Sequence, residues 1–154
     1  MKRFWNWYDR NLERNTAIAA GLFVWQIAHL WWLTAHVVAM RLFGVSFFDP
    51  GSVWEYLIII VDYTEIPAII LTSFLYVNIL RRGFSMKEAA LLAMLNSQWI
   101  HLFWITDEFV LRGFAGEAGF PVWIAWTAIG IDYLELPVIF DTLRRALRGL
   151  ARTV

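Results

Sequence analysis

Two short acidic segments inside long apolar stretches are the part of the chain best suited to chemistry. They cover residues 61–67 (VDYTEIP) and 131–137 (IDYLELP), and both read apolar-Asp-Tyr-x-Glu-apolar-Pro. A carboxylate in apolar surroundings is costly unless it is paired, hydrogen-bonded or bound to a cation. Because this costly pattern occurs twice with the same spacing, it indicates a built site. The Asp and Glu of each segment are three residues apart, on one face of a helix.

The three histidines of the chain are candidate partners for these carboxylates. A shift of 72 residues superimposes QIAHLWWLTAH on QWIHLFWITDE, which aligns His29 with His101 and His36 with Glu108. A shift of 70 residues superimposes the two acidic segments. Residues seven apart lie on one face of an α-helix, so each histidine segment is expected to present one polar stripe.

Imidazole and carboxylate groups together predict a metal site. Two histidines with bridging carboxylates suit a pair of borderline ions such as Fe, Mn or Zn, and we therefore expect a dinuclear centre. The predicted ligands form an inner layer of His29, His101, Glu65 and Glu135 and an outer layer of Asp62, Asp132, His36 and Glu108. Tyr63 and Tyr133 are the predicted catalytic residues, because their hydroxyl groups could hydrogen-bond a ligand or a substrate.

These ligand types resemble those of di-iron four-helix bundles, which use glutamates and Glu-x-x-His motifs from four helices. No Glu-x-x-His motif occurs in this chain, so the resemblance is one of ligand inventory alone. Heme between His29 and His101 is a second option for the histidines, although carboxylates would match a porphyrin poorly. Hydrogen bonds that merely join the helices are the structural alternative.

The composition indicates an all-α membrane protein with a single domain, residues 1–154. Hydrophobic residues make up 60% of the chain and charged residues only 17%, whereas a soluble domain carries about 25% charged residues. Four apolar segments, 16–43, 53–80, 89–111 and 120–143, each reach the ~20 residues of a transmembrane helix. The lipid bilayer is the expected partner, and a net charge of zero gives no reason to expect nucleic acid.

The repeated motifs predict two duplicated helical hairpins, about 16–80 and about 88–148. Each unit holds an even number of spans, so the copies would be parallel and related by a pseudo-two-fold axis along the membrane normal. Basic residues are concentrated in 2–14, 81–87 and 144–152, which by the positive-inside rule places both termini in the cytoplasm. The expected location is a prokaryotic inner or plasma membrane.

Local features beside the acidic segments complete the prediction. Pro67 and Pro137 each remove a helix hydrogen bond, so a kink is expected at both. Glu88 and Asp141, near the cytoplasmic ends of their segments, are predicted to be surface charges.

Three functions are compatible with this pattern. The first is a metalloprotein, whose chemistry, if it is an enzyme, would be redox or hydrolytic. The second is a small transporter or channel for protons or divalent cations, which would use the same residues as a relay. The third is a structural or accessory subunit of a larger membrane complex. As protein partners, the sequence is compatible with a homo-oligomer or with such a complex.

Overall fold

The computed structural model describes residues 2–48, 51, 57, 60–107 and 121–153, and this part of the chain is helical apart from short turns, with no strand. An all-α fold is therefore confirmed. The helices are α1 (Lys2–Arg10), α2 (Leu12–Trp32), a π-helix (Leu33–Val38), α3 (Ala39–Phe43), α4 (Glu65–Arg82), α5 (Met86–Ile105) and α6 (Val122–Thr153).

Four long helices form a ring in which each packs against two neighbours. The packed pairs are α2 with α4, α4 with α5, α5 with α6, and α6 with α2. Apolar side chains from all four helices fill the interior, including Phe23, Ile69, Leu95 and Val138, which are almost fully buried. This arrangement leaves α2 facing α5 across the centre, and α4 facing α6, so polar side chains on the inner faces meet along the axis of the bundle.

Three helical stretches, Leu12–Phe43, Ile60–Arg82 and Val122–Ala151, are long and apolar enough to cross a membrane. The sequence predicted four spans. Among the described residues α5 does not meet this condition, because its first turn contains Lys87 and Glu88 and it carries a polar run at 96–98. Residues 108–120, into which the predicted third span extends, lie outside the described part of the chain.

The helices leave regular α-geometry at matched positions. Leu33–Val38 form a π-helix, and residues 106–107 show the same pattern at the end of α5. A π-turn holds more residues than an α-turn, so it rotates the side chains that follow it. His29 and His36 lie on either side of the start of this segment, and for that reason the expected seven-residue stripe is broken between them.

The two prolines act differently. α4 begins at Glu65 after a turn in which the Thr64 amide donates to the Val61 carbonyl at 2.9 Å, so the helix is interrupted just before Pro67. α6 by contrast runs without interruption from Val122 to Thr153 with Pro137 inside it. Helical structure is thus interrupted beside the first proline only, and the kink expected at each proline stays a prediction.

The end of the bundle that carries the basic residues of 81–87 and 144–152 is called the basic end. Buried and paired charges join the helices there. Asp141 is 7% exposed, and its carboxylate binds Lys87 Nζ at 2.5 Å and Arg145 Nε at 2.6 Å. Tyr76 donates to the same carboxylate, and Arg145 also reaches Glu88 at 2.9 Å. Asp141 is therefore no surface charge, contrary to the prediction. Its i,i+4 spacing from Arg145 is the sequence signal that could have shown this.

The short helix α1 is attached to this end through Asp9 and Tyr8. Asp9 binds the Arg82 guanidinium at 2.6 Å and accepts a hydrogen bond from the Asn78 amide at 2.8 Å. The hydrogen bond from Arg82 holds the pKa of Asp9 below its usual range. Tyr8 is buried against Phe74, and this burial raises the pKa of its phenol to about 12.

Candidate metal centre

Two histidines and two aspartates meet inside the bundle, and together they form the candidate metal centre. His29 Nδ1 of α2 is 2.5 Å from Asp62 Oδ1, and His101 Nδ1 of α5 is 2.9 Å from Asp132 Oδ1 of α6. The other oxygen of Asp132 lies 3.9 Å from His29 Nε2. All four side chains are buried, so water cannot screen or solvate their charges.

Three of these residues are spaced as ligands of a single ion. His29, His101 and Asp132 each offer one ligand atom, and these atoms lie within 4.8 Å of one another. A first-row metal ion binds imidazole and carboxylate at about 2.0–2.2 Å, so its ligand atoms lie roughly 3–4 Å apart. The cluster is slightly wider than a closed coordination sphere and has the right chemistry. This cluster could hold a metal ion.

The short contacts in the cluster leave several buried polar atoms without a well-aligned hydrogen bond. Among the described residues no hydrogen-bond partner satisfies His29 Nδ1, His101 Nδ1, Asp62 Oδ1 or Asp132 Oδ2, although all four atoms are buried. An unsatisfied buried polar atom costs about 1–3 kcal/mol. A cation at His29, His101 and Asp132 would use imidazole and carboxylate lone pairs that are poorly satisfied here, so the donor set fits a metal.

Two glutamines hold the backbone next to the aspartates. The Gln26 side-chain amide donates to the Val61 carbonyl at 3.0 Å, and that of Gln98 donates to the Ile131 carbonyl at 2.8 Å. Each of these carbonyls belongs to the residue just before Asp62 or Asp132. The glutamines are one turn from the histidines, so each histidine helix also fixes the main chain that carries its aspartate.

The predicted catalytic tyrosines bond to threonines in the other half of the chain. Tyr63 OH is 2.8 Å from Thr106 Oγ1, and Tyr133 OH is 2.7 Å from Thr34 Oγ1. Each threonine donates its only hydroxyl proton to the carbonyl four residues back, at 2.8 Å in both cases. Each tyrosine must therefore donate to its threonine. The structure shows each tyrosine joined to a threonine of another helix, and the predicted catalytic role of the tyrosines stays a prediction.

The two glutamates of the acidic segments face each other beside the histidine–aspartate cluster. Glu65 and Glu135 are both buried, with their carboxyl groups within hydrogen-bonding range of each other. Glu135 Oε1 has no partner among the described residues. Two carboxylates this close in an apolar interior cannot both be charged unless a cation lies between them. Either they share a proton or they bind an ion.

The predicted layers differ from the observed ones. The sequence placed the aspartates in a separate outer layer with His36 and Glu108, whereas both aspartates contact the buried histidines directly. His36 Nδ1 lies instead 2.8 Å from Ser46 Oγ and its ring stacks on Trp32, because the π-helix turns it away from the stripe. Glu108 lies outside the described residues.

Comparison of the chain with protein-family models, with curated proteins and with solved structures finds no match. Its chemistry is therefore inferred from the buried cluster and from the apolar helices that surround it.

Proposed function

We propose that the protein is an integral membrane metalloprotein whose centre is held by His29, His101, Asp132 and Asp62. The observation that carries this proposal is the set of three ligand atoms within 4.8 Å of one another, all on buried residues. The buried nitrogen and oxygen atoms that lack a well-aligned hydrogen bond at the same place support it. A buried network that served only to join helices would be expected to satisfy these atoms with hydrogen bonds.

Charge balance favours a divalent ion at this position. Two ionised aspartates carry two negative charges, and one divalent cation cancels them. A neutral centre is far less costly in an apolar interior than isolated charges. Two imidazoles and two carboxylates suit Fe, Mn or Zn. The bound metal would supply Lewis acidity or electron transfer for redox or hydrolytic chemistry on a membrane-soluble substrate or one from the outer face.

The same balance extends to a second ion at Glu65 and Glu135. If both glutamates were ionised, the four carboxylates would carry four negative charges and would neutralise two divalent ions. The closeness of the two glutamates and the unpaired Glu135 Oε1 support this dinuclear form. In the mononuclear form the glutamates would instead share a proton and stay beside the metal as a hydrogen-bonded pair.

Four spans in two duplicated hairpins are the proposed architecture around the centre. Matched positions make matched contacts: histidine with aspartate within each hairpin, glutamine with the carbonyl before the aspartate, and tyrosine with threonine between the hairpins. Asp9 with Arg82, and Glu88 with Arg145, bring the basic stretches to one end of the bundle. The positive-inside rule makes that end cytoplasmic.

Metal content of the purified protein tests the assignment. We expect a transition metal to co-purify in gentle detergent and to be lost in His29→Ala and in His101→Ala. His36→Ala is the matched control, since this third histidine lies outside the cluster, and it should keep the wild-type metal content. Absence of metal from the wild type, or equal loss in all three variants, would rule out the assignment.

A second function, ion or proton passage, is favoured by buried polar groups that continue from the centre toward the basic end. Thr72 and Thr142 are fully buried, and the Thr72 hydroxyl group has no hydrogen-bond partner among the described residues. Beyond them Tyr76 contacts Asp141. Under this function, proton or divalent-cation flux into liposomes would depend on Asp62 and would fall in Asp62→Asn. Flux equal to that of empty liposomes would exclude it.

A further inference from the structure

A groove of about 600 Å³ opens between α2, α4 and α6 near the basic end of the bundle. The side chains that line it include Arg14 and Thr16 of α2, Leu75 and Ile79 of α4, and Ala146 and Arg148 of α6. Leu75 lies ten residues beyond Glu65 in α4, which at the rise of an α-helix is about 15 Å. The groove is therefore separate from the metal centre.

The charges around the groove are mainly positive. Arg145 is already bound to Asp141 and Glu88, so it belongs to the ion pairs that close the bundle. Arg14 and Arg148, by contrast, are exposed and form no ion pair with a described residue. Glu13 is the single acidic residue in the lining. The groove lining thus contains two guanidinium groups from different helices that form no ion pair with a described residue, and one carboxylate.

Next to these arginines the lining is apolar. Leu75 is buried, Ile79 and Ala146 are at least partly buried, and Leu150 is exposed beside them. The groove therefore combines a cationic rim with a hydrocarbon wall. A free phosphate ion would use only the rim. A molecule with an anionic head and an apolar tail would use both parts.

We propose that this groove binds an anionic phospholipid, with its phosphate between Arg14 and Arg148 and an acyl chain along Leu75 and Ile79. Guanidinium groups match phosphate oxygens in geometry as well as in charge. Basic pockets between transmembrane helices on the cytoplasmic side are suited to anionic head groups. The proposal requires that the protein lies in a membrane, but it does not require a metal at the buried cluster.

Lipid titration of the intact, detergent-solubilised protein tests the proposal. Phosphatidylglycerol is added, and bound lipid is counted by native mass spectrometry, with phosphatidylcholine as the zwitterionic comparison. A basic residue near the membrane surface contributes about 1 kcal/mol to such binding, so the double variant R14Q/R148Q should bind phosphatidylglycerol about 30-fold more weakly. The wild type should prefer phosphatidylglycerol to phosphatidylcholine.

The matched control is R10Q/R144Q, which removes two exposed arginines from the same end of the bundle but outside the groove. It should bind phosphatidylglycerol like the wild type. Equal weakening in both double variants, equal binding of the two lipids, or displacement of the lipid by millimolar inorganic phosphate would overturn the proposal. Metal content is measured on the same samples. A protein that binds metal but shows no lipid preference would contradict only the lipid proposal, and one that binds lipid without metal would contradict only the metal assignment.

Discussion

The carboxylate of Asp132 contacts the imidazole of His101, with 2.9 Å between Oδ1 and Nδ1. Because its second oxygen is 3.9 Å from His29 Nε2, Asp132 reaches both buried rings. Asp62, the matching residue of the first acidic segment, is paired with His29 at 2.5 Å. The two aspartates therefore occupy equivalent positions in the sequence, but Asp132 lies near both imidazole rings and Asp62 is paired with His29 alone. This difference can be measured.

Asp132→Asn should weaken metal binding more than Asp62→Asn. Loss of a residue that orients a metal ligand typically lowers metal affinity 10–100-fold, so we expect about 10-fold for Asp62→Asn and at least 100-fold for Asp132→Asn. Competition with a chromophoric chelator measures both affinities. Asp9→Asn, which removes a carboxylate at the basic end, is the control and should bind metal normally. Equal losses of metal affinity in Asp62→Asn and Asp132→Asn would contradict the larger role expected for Asp132.

Removal of the metal should destabilise the protein. A ligand present at about 100 times its dissociation constant stabilises the folded state by about 2.7 kcal/mol, which corresponds to roughly 8 °C in Tm for a chain of this size. We expect a strong chelator to lower the Tm of the wild type and of His36→Ala by about this amount. His29→Ala should start lower and should not respond. A chelator response in His29→Ala would place the stabilising metal elsewhere.

The number of metal ions should depend on the two facing glutamates. In the dinuclear form the double variant Glu65→Gln/Glu135→Gln, which removes two negative charges, should reduce the content from about two ions per chain to about one. Elemental analysis against protein concentration gives the ratio. A wild-type ratio of one that the double variant leaves unchanged would show that the glutamates share a proton beside a single ion.

The two tyrosine–threonine contacts should contribute equally to stability. Tyr63→Phe and Tyr133→Phe each remove one hydrogen bond, worth about 1 kcal/mol, and the two bonds have almost the same length. Double-mutant cycles of unfolding free energy should show coupling between Tyr63 and Thr106 and between Tyr133 and Thr34. The crossed pair Tyr63 with Thr34 is the control and should be additive. Coupling in the crossed pair would contradict the observed partners.

Attachment of α1 to the bundle should weaken in acid. The folded-state pKa of Asp9 is lowered from its ordinary value of 3.8, mainly by the hydrogen bond from Arg82. The stabilising contribution is therefore complete above about pH 4 and is lost as the pH falls through the lowered folded-state pKa. Trp5 and Trp7 fluorescence reports release of the helix. Asp9→Asn should show weaker attachment without this acid transition, and an unchanged acid transition in that variant would exclude Asp9 as its cause.

Much of this arrangement could be predicted from the sequence. Helical structure and the apolar stretches follow from periodicity, and the repeated spacing of rare polar residues predicts that ionisable side chains gather near the bundle axis. The direct contact of Asp62 and Asp132 with His29 and His101 does not follow, because the sequence places the aspartates in a separate outer layer. Periodicity works here because an ionisable group in an apolar stretch has few stable positions other than the bundle axis. The same reasoning indicated that Glu65 and Glu135 would lie near the cluster.

Other features could not be predicted because they depend on local geometry that composition does not encode. The π-helix at Leu33–Val38 removes His36 from the stripe, and no residue type in that stretch signals it. Which carboxylate contacts which ring depends on how the helices cross, and sequence spacing leaves the aspartates and glutamates interchangeable in this respect. Pro67 and Pro137 differ for a similar reason, since the same residue interrupts one helix and is accommodated in another.

The tyrosine–threonine bridges have a consequence for how the chain could be divided. His29 meets Asp62, and His101 meets Asp132, inside one hairpin each, whereas Tyr63 and Tyr133 reach across to the other hairpin. Each half of the chain therefore contributes one tyrosine donor and one threonine acceptor to these contacts. Two polypeptides divided at the turn 83–85 and expressed together should find each other and rebuild the centre. A single hairpin holds the same complementary pair, Tyr63 and Thr34, with which to recognise a second copy of itself.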